Sequence, residues 1–253
     1  MALLELSSVT MRFGGLVAVN DLNLAVQPGQ LYGLIGPNGA GKTTVFNVIT
    51  GVYRPTSGAV RIDGQDIAGE RAGRITRRGI ARTFQNVRLF GDMTVLENVK
   101  VASDCRQSAT LGSAVFRTPL HGREEARIDA AARELLKIFH LDRFADEKAR
   151  NLPYGSQRRL EIARAMATSP RVLLLDEPAA GMNPQESLQL MDLIRWVRDH
   201  FGMAVLLVEH NMKVVMGICE VVHVLDYGST IATGKPAEIQ SNPRVIEAYL
   251  GGA

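Results

Sequence analysis

An α/β fold built on a parallel sheet, with a β-rich N-terminal third and an inserted helical subdomain, is what the sequence predicts. Three observations carry that expectation. In the last third, the near-continuous apolar runs VLLLD, MAVLLVEH and VVHVLDYG are separated by helical segments, as in a parallel sheet buried on both faces. The chain opens instead on alternating segments, LLELSSVTMRF and AVNDLNLAVQPGQ, the pattern of half-buried strands, the second turning at Pro28-Gly29. From Thr94 to about Phe144 the period becomes helical, and REEARIDAAARELLKIFHL sets Ile128, Ala131, Leu135 and Ile138 on one face with charges opposite. With 253 residues and 46% hydrophobic content, the chain can bury the core of one compact domain carrying such an insertion.

Taken in order, LYGLIG is a short apolar strand and TTVFNVITG a short helix stopped by Gly51. PTSGAVRIDGQDI gives a turn and a further strand, and TRRGIARTFQ leads through a basic patch into a strand ending near Gln85. The inserted helical subdomain then spans approximately 86–165. After VLLLD, the helix PQESLQLMDLIRWVRDHFG repeats Met191, Ile194, Val197 and Phe201 at helical spacing, a core stripe. MKVVMGICE is a further helix, and NPRVIEAYLGGA reads as a capping helix with a frayed end.

Composition narrows the function. A formal charge of +3 falls well short of the dense Lys/Arg stripe that neutralises nucleic-acid phosphates, so no nucleic-acid partner is expected. The two cysteines, Cys105 and Cys219, are far apart and show no CxxC or Cys/His spacing, which excludes a disulfide framework or a structural zinc site and fits a reducing compartment. The N-terminus has no basic stretch followed by an apolar run, and the apolar runs elsewhere are only strand length. The expectation is a chain that neither enters nor crosses a membrane, though docking onto a membrane partner stays open.

One motif is specific. Gly36, Pro37, Asn38, Gly39, Ala40, Gly41, Lys42 and Thr43 match G-x-x-x-x-G-K-[ST] between an apolar strand and a helix, the context the motif requires. Glycines let backbone N–H groups curl around phosphates, and the following helix N-terminus adds positive potential. Lys42 can reach β- and γ-phosphates, and Thr43 can offer its hydroxyl to Mg²⁺; the bland alternative is a glycine-rich turn with a chance lysine. Asp176 and Glu177 follow the strand VLLLD at the carboxyl edge where ligands bind in open α/β sheets. There Asp176 would hold a Mg²⁺ shell and Glu177 would polarise an attacking water, against the alternative of two carboxylates merely facing solvent.

Other candidates are weak alone. His210 ends a second buried strand, where a lone histidine is more often structural, and Gln85 is an ordinary strand-end glutamine. Phe13 fits either a core aromatic or a platform for a base. Arg71, Arg74, Arg77 and Arg78, like Arg158 and Arg159, read as solvated basic faces, with no aromatics interleaved.

The ordered set GPNGAGKTT, Gln85, LPYGSQRRLEIARA, VLLLDEP and VEH resembles the ATP-binding cassette (ABC) ATPases over essentially the whole chain. More narrowly, RFGGLVAVNDLNL, GIARTFQNVRLFGDMTVLENV, YGSQRRLEIARAM, LLLDEPAAGMNP and VEHNMKVVMGICE are similar to one of the two ATPase subunits of branched-chain amino acid importers, the one with Tyr-Gly in its signature. The resemblance implies a P-loop NTPase cassette: a RecA-like parallel-sheet core, an N-terminal antiparallel β subdomain and an inserted α-helical subdomain. It implies ATP and Mg²⁺ as ligands, with Phe13 stacking on adenine, the loop from Gly36 through Thr44 on the phosphates, and Thr43, Gln85 and Asp176 around the metal. Glu177 becomes the catalytic base, His210 the switch contacting the γ-phosphate, and Gln85 the sensor of the membrane subunit.

It further implies a head-to-tail pair of cassettes, each ATP lying between one chain's phosphate loop and the other's signature helix, so that Tyr154, Gly155 and Ser156 act in trans. The implied partners are a second ATPase subunit, two transmembrane permease subunits and, indirectly, an extracytoplasmic substrate-binding protein. The implied place is the cytoplasmic side of the inner membrane.

Two positions depart from the usual pattern. Leu152, Pro153, Tyr154, Gly155 and Ser156 stand where the signature is usually L-S-G-G-Q, so Pro153 replaces a serine hydroxyl and offers neither hydroxyl nor N–H. Asn183 stands where most cassettes have an aspartate. A urea or amide importer uses a similar cassette. A soluble cassette ATPase would carry long coiled-coil insertions or two cassettes per chain, and a small-molecule kinase has no signature helix.

Overall fold

The computed structural model describes residues 1–103 and 119–250. The chain forms two compact units, Met1–Gln85 with Arg171–Ala253, and Asn86–Pro170.

In the first unit, β1 (Leu4–Phe13) and β2 (Leu16–Val26) pair antiparallel, and β1 continues onto β4 (Ser57–Ile62) and through it to β5 (Gln65–Asp66). Alternation in the sequence becomes alternation of burial, with Leu4, Leu6, Val9 and Met11 inward. The second sheet runs in the order β10-β9-β3-β8-β7-β6. Its strands are β3 (Leu31–Ile35), β6 (Ile80–Arg82), β7 (Val172–Asp176), β8 (Ala204–Val208), β9 (Val221–Asp226) and β10 (Ser229–Gly234). Every residue of β3, β7 and β8 is buried, as expected of strands covered on both faces. Helix α1 (Lys42–Ile49) contributes Val45, Phe46, Val48 and Ile49 to a core shared with both sheets.

Several expectations are corrected here. The sheet is parallel except for β10, which pairs antiparallel with β9 through the turn Tyr227-Gly228. Both turn residues have positive φ, 43° and 79°, the mirror-image hairpin geometry, but Tyr-Gly is not the Asn-Gly that advertises it. The strand expected to reach Gln85 ends at Arg82, because β6 is an edge strand paired only over Ile80–Arg82 with Val172–Leu174. A short helix, α2 (Ala72–Arg77), precedes it and was not legible.

The unit Asn86–Pro170 holds α3 (Val95–Ser103), α4 (Pro119–Ile138) and α5 (Tyr154–Ala167). A Thr94/Glu97 capping box starts α3: Glu97 accepts from the Thr94 N–H at 2.7 Å and the Thr94 hydroxyl from the Glu97 N–H at 3.1 Å. The buried edge of α4 is Ala132, Leu136 and then Phe139, whereas Ala131 is exposed. The stripe is rotated by one residue from the expected one, because Ala132 and Leu136 repeat at i and i+4 as well as Leu135 and Ala131 do, and packing decides between them. Residues 104–118, including Cys105, and the expected frayed end at 251–253 lie outside the described residues.

Back in the first unit, Asn183 caps α6 (Pro184–Phe201): its side chain accepts from the Glu186 N–H at 2.9 Å and Glu186 accepts from the Asn183 N–H at 3.1 Å. The cap needs only a side-chain oxygen, so asparagine serves it as an aspartate does. Met191, Ile194 and Val197 are buried, but Phe201, expected in the stripe, is 44% exposed at the last residue of the helix, edge-on to His200. The remaining elements are α7 (Met212–Ile218), α8 (Pro236–Gln240) and α9 (Pro243–Leu250). Cys219 is buried, and burial pushes its thiol up to about 12, so it is chemically inert.

His223 on β9 is buried, with Nε2 2.9 Å from the Thr230 hydroxyl and Nδ1 2.9 Å from that of Thr233. Burial drags its pKa from 6.5 to about 4. The folded chain therefore binds fewer protons there than the unfolded one, so this contribution is complete above pH 6.5 and is lost as pH falls toward about 4. Unfolding free energy should drop across that window by up to about 3 kcal/mol. His223→Gln, neutral throughout, should flatten the slope; denaturant midpoints that fall equally in both proteins would refute the assignment.

Candidate active site

The phosphate-loop motif joins β3 to α1. Gly36 has φ 153°, and a Cβ there would sit 2.1 Å from the Leu225 carbonyl oxygen; at Gly41, with φ 104°, it would sit 2.5 Å from that of Ala18. These backbone approaches, invisible as such in sequence, are why the loop needs glycine at both places. Gly41 is the N-cap of α1 and no side chain caps that end, which suits it to an anionic ligand. Lys42 is buried, and its ammonium donates to the carbonyls of Gly36 at 2.7 Å and Pro37 at 2.8 Å. Burial holds its pKa below the usual lysine value, opposed by the nearby Glu177 and Asp176 carboxylates. The β9–β10 turn braces the loop, its Gly228 N–H donating to the Ala40 carbonyl at 3.0 Å.

Glu177 leaves β7 with φ 47°, a left-handed conformation uncommon outside glycine, fixed by its N–H donating to the Val208 carbonyl at 2.8 Å. Its side chain is 13% exposed. Oε1 lies 2.5 Å from His210 Nε2, and Oε2 accepts from Gln85 Nε2 at 2.9 Å. Three residues that were separate candidates in the sequence thus converge on one carboxylate. Asp176 is buried, and its Oδ2 accepts from Arg82 Nη2 at 2.9 Å.

A cavity of about 620 Å³ is lined by Phe13, the loop from Asn38 through Thr44, Gln85, Glu177 and His210. Phe13 is 41% exposed and meets Tyr53 edge-to-face with centroids 5.1 Å apart, so it is not a core aromatic. Gly36 and Pro37 border an adjoining cavity, which Asn38, Ala40 and His210 also line, and Asp176 stands behind the lining rather than in it. The hydroxyl of Thr43, the carboxylate of Asp176 and the amide oxygen of Gln85 are hard oxygen donors, a set that fits Mg²⁺ completed by phosphates and water. Tyr154, Gly155 and Ser156 belong to the other unit, at the start of α5. Pro153 is the N-cap there and supplies no side-chain acceptor.

Several residues of the site have no motif in the sequence. Leu16 and Tyr227, the latter 88% exposed, line the cavity without any motif to announce them. Glu209 is buried and accepts from the Ala179 N–H at 2.9 Å and the His210 N–H at 3.2 Å, tying the ends of β7 and β8 together; burial pushes its carboxyl above the usual range. Arg82 carries one signal in the sequence, a charge that directly follows the apolar pair Ile80-Ala81 at the end of β6.

A phosphate loop at the turn from β3 to a helix, a histidine just past the neighbouring strand β8 and a carboxylate pair at the end of β7 beyond it match a nucleoside-triphosphate hydrolase site. The family model for the ABC transporter matches residues 19–180, and one described as branched-chain amino acid ATP-binding cassette transporter matches residues 229–253. The chain belongs to the ABC transporter family as its ATP-binding cassette, an ATPase whose hydrolysis is coupled to transport. It is 50% identical over 251 residues to the high-affinity branched-chain amino acid transport ATP-binding protein BraF of Pseudomonas aeruginosa, covering 99% of this chain and 98% of that protein. It is 49% identical over 252 residues to LivG of Escherichia coli, named likewise, with the same coverage. A solved ATP-binding cassette of an ABC transporter in its ADP conformation superposes with a TM-score of 0.86 at 30% identity, covering 99% of both chains.

Proposed function

We propose that this cassette powers uptake of branched-chain or closely related hydrophobic amino acids, working with a second ATPase subunit, two permease subunits and an extracytoplasmic binding protein at the cytoplasmic face of the inner membrane. The observation that carries the substrate class is near-full-length identity to two proteins named for branched-chain amino acid transport, with the C-terminal segment matching a model of that description as well. No helix among the described residues is long and apolar enough to cross a membrane.

In this reading ATP enters the cavity with its base against Phe13 and its phosphates in the loop from Gly36 to Thr44. Lys42 turns from the carbonyls of Gly36 and Pro37 to the β- and γ-phosphates. Glu177 takes the proton of the attacking water, His210 donates toward the γ-phosphate, and Gln85 reports the state of the site to the permease. Mg²⁺, when bound, neutralises phosphate charge from among Thr43, Gln85 and Asp176.

Affinity purification from native membranes tests the assembly: the expected co-purifying chains are two permeases and a second cassette. Recovery with none of them overturns the transport reading. The signature helix supplies a second test. Its N-cap is Pro153, and its N–H groups and dipole would meet the partner's γ-phosphate without a serine hydroxyl. A hydrogen bond to a charged phosphate is worth about 1.5 to 3 kcal/mol. Pro153→Ser should therefore speed hydrolysis at the partner's site, measured in heterodimers with one site disabled; a change confined to this chain's own site refutes head-to-tail pairing.

A further inference from the structure

Arg82 has no part in the reaction described above, yet it is among the most constrained side chains of the site. It ends β6, beside the strand that delivers Asp176. Its Nη2 donates to Asp176 Oδ2 at 2.9 Å, and the two side chains are only 8% and 5% exposed. Nη1 donates to Asn47 Oδ1 of α1 at 2.7 Å. The guanidinium lies 5.3 Å from the ring centroids of both Phe46 and Phe84. Its Nε is buried with no hydrogen-bond partner among the described residues, a loss accepted while the Nη edge is aimed at the carboxylate.

A divalent cation drawn to Asp176 meets this resident positive charge first. Lys42 stands close by as well, set against Glu177. With Arg82 and Lys42 beside Asp176 and Glu177, a bare metal ion gains less there than at uncompensated carboxylates. A triphosphate changes that balance, because it brings several negative charges at once.

We propose that Arg82 is a counter-ion that orients the Asp176 carboxylate and keeps a divalent cation from settling on it until nucleotide phosphates arrive, so that metal enters only together with nucleotide. Arg82 is thus a positioning residue, and the proposal rests on Asp176 being the metal-side carboxylate. Like charges a few ångströms from a divalent ion change its affinity steeply in a buried site. Only one edge of the carboxylate is taken by Arg82, which leaves the other free to serve a metal.

Mn²⁺ binding to the purified chain, read by electron paramagnetic resonance with and without a non-hydrolysable ATP analogue, tests this apart from turnover. Wild type should bind Mn²⁺ tightly only with the analogue. Arg82→Gln should raise nucleotide-free Mn²⁺ affinity by about tenfold or more, while Arg82→Lys, which keeps the charge, should stay near wild type. Asp176→Asn should weaken Mn²⁺ binding in the presence of the analogue. If it does not, the metal-side reading of Asp176 fails and takes the proposal with it. If Asp176→Asn weakens binding but Arg82→Gln leaves the nucleotide-free affinity unchanged, the counter-ion role alone is overturned. Should Arg82→Gln fail to fold, the wild type still decides: Mn²⁺ held as tightly without nucleotide as with it refutes the proposal.

Discussion

Glu177→Gln should lower steady-state ATP turnover by about a hundred- to ten-thousandfold while ATP affinity stays near that of the parent. Both oxygens of this carboxylate are held, Oε1 by His210 at 2.5 Å and Oε2 by Gln85 at 2.9 Å, on a backbone fixed at φ 47°. Glutamine has the same shape and can keep one of these contacts, but its amide cannot take a proton from water. The phosphate loop and Lys42 are untouched, so binding should survive. With hydrolysis blocked, a nucleotide-bound dimer should accumulate, visible as a larger species in size exclusion with ATP and absent with ADP. Turnover at the parent rate would show that another group is the base and that the convergence of Gln85, Glu177 and His210 has a different purpose.

Arg158→Ala should cost the folded chain about 3 to 5 kcal/mol, read as a shift in denaturant midpoint at unchanged slope. Arg158 on α5 is 2% exposed, as is Glu161, and its Nη1 lies 3.1 Å from the Glu161 carboxylate. Its Nε donates to the Tyr154 hydroxyl at 3.1 Å, with the guanidinium 5.5 Å from that ring's centroid. Removing the arginine takes away the cation that sits 3.1 Å from the buried Glu161 carboxylate, and a buried pair is expensive to break from one side. Replacing both partners, Arg158→Met with Glu161→Leu, should recover part of the loss because the buried carboxylate is removed together with its arginine. If the double variant is no more stable than the single one, the pair matters through its hold on Tyr154 and the signature end rather than through charge burial.

The same arginine marks where sequence reasoning stopped. Read on its own, a charged side chain at that position belongs on a solvated face, because most arginines do. Only the packing around α5 turns Arg158 inward and brings Glu161, one turn on, into range. Arg78, grouped with it as a basic face, is instead paired with Glu70 at 2.6 Å, a contact spanning the short helix α2 that charge counting does not reveal. The rotated buried stripe of α4 and the exposed Phe201 have the same origin: helical periodicity narrows the face to a few candidates, and a neighbouring surface selects one.

What the sequence by itself determined was set by local rules. The period of apolar residues named the strands and most helices, and the spacing of Gly36, Gly41, Lys42 and Thr43 named a phosphate loop before any neighbour was known. The ordered motifs were enough for a family. What only the tertiary structure decided was contact between residues distant in the chain. Gln85, Glu177 and His210 meet because β7 and β8 are adjacent in the parallel sheet while β6 flanks β7, an order of strands that no local pattern encodes. Arg82 reaches Asp176 for the same reason, across a gap of 94 residues. Local free energies favour elements; which carboxylate faces which cation is decided by the register of strands whose pairing is fixed by the buried core as a whole.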